Sequence, residues 1–273
     1  MITAVHYYNK RLISGTIDGH VILPTLEKKC HSSSVRALAS VGDHVLTASS
    51  DKSWTLLNNS NKTILKGFCN DSISSVCRVS EHTFTTGDDA GMLKLWDVRV
   101  KRSVRKSHVG DYISGSIMVG DTLVVSNYSG QLGVWDLRAK MHLSGHQNDE
   151  LTCVLHAPDK KKVLVGTSIG VVLVFSVGQW DDCSDRLVGN TTPVTSIVHE
   201  KNDYYMSDED GKIKRISVAP YAILETVGES PLPIEQLVAG DGVLYSCGHQ
   251  DTVQQWPVKQ GQVSTYDFFA GLD

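Results

Sequence analysis

The chain has 273 residues and a formal net charge of −4, from 26 Lys and Arg against 30 Asp and Glu. This balance gives no general attraction for nucleic acid or for acidic membrane surfaces. No apolar run approaches the roughly 18 residues of a membrane span, and no basic-then-apolar leader precedes the first β-rich run. We therefore expect a soluble intracellular protein without a membrane partner.

Seven similar units follow one another along the chain. In each unit a β-rich run, a short turn and a second run lead to a tight polar turn and a third run of alternating apolar and polar residues. First runs of this kind are 35–39, 73–79, 151–155 and 194–198. The tight turns are Asp18-Gly19, Asp51-Lys52, Ala90-Gly91, Ser129-Gly130, Ile169-Gly170, Asp210-Gly211 and Gln250-Asp251. Gly at the second turn position is typical of hairpins that need a positive φ.

The units repeat about every 40 residues, the period of a four-stranded propeller blade. Five residues after the turn glycine, or its equivalent, stand Pro24, Leu57, Trp96, Trp135, Phe175, Ile216 and Trp256, at spacings of 33, 39, 39, 40, 41 and 40. One seventh of the 273 residues is 39, so seven units use the whole chain. No stretch of 12 residues has helical periodicity. The pattern predicts an all-β fold of seven blades.

Signature residues at the ends of these units resemble those of the WD-repeat β-propellers. They are Trp96 and Asp97, Trp135 and Asp136, Trp256, and the pair Gly145 and His146. His31 and His108 stand in places similar to that of His146 but lack the preceding glycine. The resemblance implies a seven-bladed β-propeller of WD repeats in which a His, a turn Asp, a Ser and the Trp form a buried polar network. No unit has all four residues, so we expect degenerate networks.

The repeats define a propeller domain over residues 1–260 and a C-terminal segment over 261–273. The first unit begins at the first residue, so we expect the ring to close by face packing between the first and last blades. The stretch 262–268 alternates and is expected to form the outer strand of the last blade. Phe268 and Phe269 are adjacent and would point to opposite faces of a strand. This tail is therefore either a docking peptide or a strand packed on its own disc.

Three surface features have both a functional and a structural interpretation. One basic cluster comprises Arg99, Lys101, Arg102, Arg105 and Lys106, and a second is the run 160–162. Each is either a contact for RNA or an acidic partner, or a solvated edge without the interleaved aromatic residues that stack on bases. Trp180 lies in a long acidic loop, where it is either a binding anchor or folded back on its blade.

No set of residues has the spacing of a catalytic, cofactor-binding or metal-binding site. The chain has no Gly-x-Ser-x-Gly, no phosphate-binding glycine loop and no His pair at ligand spacing. The six cysteines show no Cys-x-x-Cys, and most fall in or beside predicted strands, which indicates buried reduced thiols. The pair Asp88 and Asp89 occupies a turn position where Asp accepts backbone N–H bonds. We expect no enzyme activity, no cofactor and no metal.

Several longer stretches are similar to one group, the nucleolar proteins known as WD repeat-containing protein 55. They are 86–89, 165–175, the Trp-containing insertion ending at Asp185-Arg186, 246–251 and the terminal stretch 267–272. The resemblance implies a non-catalytic nuclear scaffold for processing of pre-ribosomal RNA, a monomer within larger complexes whose partners are pre-ribosomal assembly factors. The basic stretch that precedes the tail in that group is reduced here to Lys259. Direct RNA contact is left open.

A second interpretation comes from the box Trp-Asp-x-Arg, which occurs at 96–99 and again at 135–138. It resembles the box of propellers that serve as substrate receptors of cullin–RING ubiquitin ligases. In that case Arg99 and Arg138 bind the ligase adaptor, a task suited to the planar guanidinium. Alternatively, an Arg simply follows the dipeptide in this repeat.

Overall fold

The structure is a computed structural model that describes residues 1–24, 26–58, 60–139, 141–145 and 147–258. Within these ranges the chain forms seven antiparallel sheets, each built from consecutive strands. The first strand of every sheet packs against the first strand of the next, and that of the seventh sheet packs against that of the first. The molecule is therefore a seven-bladed β-propeller, and the predicted all-β class is confirmed.

The strand bounds follow the predicted units. Blades one to three consist of β1 Ile2–Tyr8, β2 Arg11–Thr16, β3 His20–Leu23 and β4 Leu26–Lys29; β5 Val35–Val41, β6 His44–Ser49, β7 Ser53–Leu57 and β8 Thr63–Phe68; β9 Ile73–Arg78, β10 Thr83–Asp88, β11 Met92–Asp97 and β12 Arg102–His108. Blades four and five consist of β13 Ile113–Val119, β14 Thr122–Asn127, β15 Leu132–Asp136 and β16 Met141–Leu143; β17 Leu151–Ala157, β18 Lys162–Thr167, β19 Val172–Ser176 and β20 Asp185–Leu187. Blades six and seven consist of β21 Val194–Glu200, β22 Asp203–Asp208, β23 Lys212–Val218 and β24 Tyr221–Glu229; β25 Ile234–Gly240, β26 Val243–Gly248 and β27 Gln254–Pro257.

The turn between the second and third strands is held by one recurring contact. In five blades the last side chain of the second strand accepts a hydrogen bond from the N–H four residues later. The acceptors are Thr16, Asp88, Asn127, Thr167 and Asp208, at 3.0, 2.8, 2.9, 3.1 and 2.9 Å. This capping of a turn by Asp, Asn and Thr is the local reason for those residues.

The turn glycine is required by its backbone and its neighbour together. Gly211 has φ +82°, and its carbonyl accepts the N–H of Ser230 in the following loop at 2.8 Å. A Cβ at Gly211 would lie 2.4 Å from the Ser230 carbonyl oxygen. Only glycine tolerates both the positive φ and the close approach of the Ser230 carbonyl. The glycine of the predicted turn is therefore the point where this turn contacts the loop that leads to the next blade.

The core lies between blades and is built from the alternating side chains of the inner three strands. Its largest aromatic group joins blades two and three, where Trp54 meets Phe84 at 4.9 Å and Trp96 at 5.1 Å between ring centroids. The first and last blades pack through Ile2, Val5 and Cys247, which confirms ring closure by face packing. The predicted fourth strand of blade seven lies outside the described residues.

Candidate functional site

The propeller has two faces, defined by the loops between strands. The described part of the upper face comprises 17–19, 50–52, 89–91, 128–131, 168–171, 209–211 and 249–253, together with the loops between blades, 30–34, 69–72, 109–112, 144–145, 147–150, 188–193 and 230–233. The described part of the lower face comprises 9–10, 42–43, 79–82, 120–121, 158–161, 201–202 and 241–242, together with 24, 58, 60–62, 98–101, 137–139, 177–184 and 219–220.

The upper mouth of the central channel is lined by seven bulged residues. The first strand of every blade shifts its register after its first residue, which leaves the next residue unpaired with the second strand. These residues, one from each blade in chain order, are Thr3, Arg36, Ser74, Ser114, Thr152, Thr195 and Glu235. All seven line the channel, whose volume is about 980 Å³. A bulge re-aims a side chain, here into the mouth.

Three of the bulged hydroxyls close the seams between blades. Thr3 Oγ1 donates to the carbonyl of Val35 at 2.6 Å, and Ser74 Oγ donates to that of Ile113 at 2.6 Å. Thr152 donates in the same way at 2.5 Å to the first residue of β21. In blades four and six the bulged hydroxyls of Ser114 and Thr195 instead bond to Ser126 and Ser207 of their own blades. Blades two and seven place a charged residue, Arg36 or Glu235, at this position, and departures from a local structural rule concentrate at functional sites.

Arg36 reaches from blade two to blades three and four. Its Nη1 donates to both carboxylate oxygens of Asp89 at 2.7 and 2.8 Å, and its Nη2 donates to the hydroxyl of Tyr112 at 2.7 Å. The Tyr112 ring lies 4.4 Å from that of Tyr128, between centroids. Burial, then Tyr112 and Glu150, raise the pKa of Tyr128. The channel mouth thus holds Arg36, whose charge is balanced by Asp89, beside the ring pair of Tyr112 and Tyr128.

The upper-face loops are strongly acidic. Their ten carboxylates are Asp18, Asp51, Asp71, Asp89, Asp111, Asp149, Glu150, Glu209, Asp210 and Asp251, against the single cation Lys52. In the described part of the lower-face loops, eight Lys and Arg stand against seven Asp and Glu. The small net charge of the chain therefore conceals a large difference between its faces.

Blade two keeps the polar part of the family network, which the sequence pattern obscured. His31 Nδ1 lies 2.9 Å from Ser53 Oγ and 3.2 Å from Asp51, and Nε2 lies 2.8 Å from Thr47 Oγ1. Burial lowers the pKa of His31, while hydrogen bonds from Ser53 and Ser32 outweigh burial and lower the pKa of Asp51 to about 2. The absent glycine before His31 hid this network, although Asp51-x-Ser53 was available as a signal.

The other signature residues have structural contacts. Trp96 and Trp256 each donate their indole N–H at 2.9 Å to a hydroxyl of the second strand, on Thr86 and Ser246. Trp135 instead donates to the carbonyl of Ala139 at 3.2 Å. Asp97 and Asp136 accept the backbone N–H two residues later, both at 2.9 Å. Gly145 donates to the carbonyl of Asp181 at 2.8 Å, and His146 lies outside the described residues.

The described members of the predicted partner-binding set, Arg99, Arg138 and Trp180, lie on the lower face. Arg99 and Arg138 follow the third strands of the neighbouring blades three and four. The Arg99 guanidinium pairs with Asp97 at 2.6 Å while 63% of its side chain stays exposed, and Arg138 is exposed. That pairing, led by the side-chain hydrogen bond, lowers the pKa of Asp97 to about 2. Phe268 and Phe269 lie outside the described residues.

Trp180 is folded back, as one of the two sequence interpretations held. It is half-buried against the cluster that joins blades four and five. The loop around it also crosses to blade four, where Asp181 lies 3.1 Å from His142 and Asp182 accepts from the Gln147 amide at 3.2 Å. The insertion is therefore a strap between two blades.

The basic outer strand of blade three is largely exposed, as expected for a solvated edge. Arg105 is exposed as well, but its guanidinium lies 5.8 Å from the centroid of the Trp135 ring and donates to the carbonyl of Leu137. One residue of this cluster thus joins blades three and four.

The described part of the chain holds few features of other kinds of site. It holds no group of three or more His, Cys, Asp and Glu arranged to bind a metal. All six cysteines are free. Within the same residues, no helix is long and apolar enough to cross a membrane.

The chain is similar in sequence to several WD-repeat proteins. It is 28% identical over 279 residues to WD repeat-containing protein 55 of Arabidopsis thaliana, covering 93% of this chain and 79% of that protein. The WD repeat-containing protein 55 homolog of Drosophila erecta is 29% identical, with 89% of this chain and 51% of that protein covered. WD repeat-containing protein JIP5 of Coprinopsis cinerea is 31% identical over 189 residues, covering 62% of this chain and 46% of that protein. The chain thus spans about half the length of these insect and fungal relatives.

Other comparisons bear on the fold alone. No family model matches the chain. The computationally designed protein Ika8 superposes with a TM-score of 0.72 at 17% identity, covering 94% of this chain and 96% of that one. The propeller and its relatives confirm the predicted WD-repeat resemblance, and propellers of this kind generally mediate protein–protein interactions and are typically non-catalytic.

Proposed function

We propose that this chain, a WD-repeat β-propeller similar to WD repeat-containing protein 55, is a non-catalytic nucleolar scaffold that binds protein partners during processing of pre-ribosomal RNA. The observation that carries the scaffold role is the contrast between its faces, with ten carboxylates and one Lys in the upper loops. A rigid disc that presents two chemically different surfaces can hold different proteins at the same time. The ribosomal role is the one that the resemblance implies.

The charge distribution supports protein partners over RNA on the upper face. Phosphate backbones are attracted by clustered Lys and Arg and repelled by carboxylates. RNA contact is therefore confined in this proposal to the lower face and the basic edge of blade three, where the described residues include Arg102 and Lys106.

The scaffold role is tested by purification of the tagged protein from its own cells at moderate salt, followed by quantitative mass spectrometry. We expect recovery of pre-ribosomal assembly factors, and accumulation of unprocessed precursor RNA after depletion of the protein. Normal precursor levels together with an absence of those factors would contradict the ribosomal role. Turnover of nucleotide, phosphoester or peptide substrates above a denatured control would contradict the non-catalytic role.

A second function is favoured by the placement of Arg99 and Arg138 at equivalent, exposed positions of neighbouring blades. In this alternative the chain is a substrate receptor whose lower face binds the adaptor of a cullin–RING ligase. The double variant Arg99→Ala, Arg138→Ala is expected to lose adaptor recovery in the same purification. Lys101→Ala with Lys160→Ala removes the same charge from the lower face and is the matched control. Adaptor recovery that persists in the arginine variant would remove this alternative.

A further inference from the structure

The upper channel mouth has the chemistry of a site for a cationic peptide. We propose that it binds an extended Lys- and Arg-rich segment of a protein partner, with one cationic side chain seated over Tyr128 and beside Glu150. This inference rests on the proposed scaffold function and names the chemistry of its partner.

Charge selects the kind of partner. The upper-face loops hold ten carboxylates, and Glu150 and Glu209 are exposed and form no ion pair with any described residue. The cations there are already matched, because Arg36 pairs with Asp89 at 2.7 Å and Lys52 pairs with Asp71 at 3.5 Å. Unmatched carboxylates of one sign around a cleft raise the local concentration of a cationic ligand and speed its association.

The tyrosine pair selects the side chain. Arg36 already lies with its guanidinium carbon 5.5 Å from the centroid of the Tyr112 ring, which shows one cation on the pair. Tyr128 lies 4.4 Å from Tyr112 between ring centroids and is 40% exposed. Burial is the main cause that raises the pKa of Tyr128, and the nearby Glu150 carboxylate raises it further. A guanidinium or ammonium placed on the open tyrosine gains both a ring face and a nearby carboxylate.

The channel limits the shape of the occupant. Its volume of about 980 Å³ is lined at the mouth by the seven bulged residues. Such a space admits side chains or a short extended segment, whereas a folded domain can rest only on the rim. Glu235 stands at this mouth in blade seven, 3.1 Å from the exposed His249, and adds a further carboxylate to the ring.

The test is fluorescence anisotropy with a labelled peptide of repeated Gly-Arg-Ser units, at low and moderate salt. The same peptide with citrulline in place of Arg keeps the shape and removes the charge. We expect the arginine peptide to bind, the citrulline peptide to bind at least about tenfold more weakly, and salt to weaken the former. Equal binding of both peptides would overturn the proposal.

Matched variants separate the site from the net charge. Glu150→Gln with Glu209→Gln changes two exposed upper-face acids, and Asp43→Asn with Asp121→Asn changes two exposed lower-face acids. We expect the upper pair to weaken binding about tenfold and the lower pair to leave it within about twofold. Equal losses in both variants would reduce the binding to general charge attraction. Tyr128→Leu is expected to weaken binding several-fold, and Tyr128→Phe to retain it because the ring remains.

Purification from cells distinguishes failure of this inference from failure of the scaffold role. We expect the Glu150→Gln, Glu209→Gln variant to lose at least one partner that carries a Lys- and Arg-rich segment, while partners of the lower face remain. Recovery of every partner on this variant, at the level of the unaltered protein, would overturn the inference and leave the scaffold intact. Absence of partners on the unaltered protein would contradict the scaffold itself.

Discussion

Two histidines are held neutral inside the propeller. His6 Nε2 lies 2.7 Å from Ser40 Oγ, and burial lowers the pKa of His6 to about 4. Burial also lowers the pKa of His31, which sits in the network of blade two. Each histidine binds a proton more readily when the chain is unfolded, so each one makes folding depend on pH.

The sign of this dependence follows from the lowered pKa values. Between about pH 6.5 and 4 the unfolded chain carries a proton on His6 that the folded chain does not, so stability falls as the pH is lowered through this window. We expect His6→Gln to reduce that loss by on the order of 1–2 kcal/mol, a value that allows for the partial exposure of His6. Chemical denaturation at pH 7 and pH 4.5 measures it, with the exposed His82→Gln as control. If the unaltered protein, His6→Gln and His82→Gln all lost the same free energy of unfolding between pH 7 and pH 4.5, His6 would not be the source of the pH dependence.

For single residues, the sequence predicted the signature side chains better than it predicted the side chains that they contact. Trp96 and Trp135 were found by their spacing, because a repeat fixes positions along the chain. The contacts of Arg36 with Asp89 and Tyr112 join three blades and depend on a bulge at the start of β5. Neither a bulge nor a contact between distant blades leaves a mark in the spacing of one repeat.

The first strand of each blade has a second task besides pairing within its sheet. Its bulged residue points into the channel, and in three blades that residue donates a hydroxyl hydrogen bond to the neighbouring blade. These bonds hold adjacent sheets together at the upper end, where the apolar core between blades gives way to water.

Removal of one such bond should lower the stability of the ring. Thr152→Val keeps the shape but leaves the Val194 carbonyl without its donor, so we expect a loss of about 1–2 kcal/mol in the free energy of unfolding. Thr191→Val, at an exposed loop position near the same seam, is the control and should change it by less than about 0.5 kcal/mol. Denaturant titration of the two variants makes the comparison. A loss no larger for Thr152→Val than for the control would show that the seam bond contributes little.

The whole disc was predictable because its frame is repetitive. Strand alternation and glycine turns predicted the seven blades, and the structure packs Ile2 and Val5 of the first blade against Cys247 of the last. The difference between the faces was hidden, since acidic loop residues are scattered through the chain and gather only when the ring closes. The folded-back position of Trp180 depended in the same way on a strap that crosses between blades.

The strands that separate the two faces also set a distance. The second strands contain six residues in each blade, so the faces stand roughly 20 Å apart. A protein on the acidic side and a protein on the mixed side would not touch, and neither could displace the other directly. The disc would then keep its two bound proteins apart, so that one of them can dissociate and be replaced while the other stays bound.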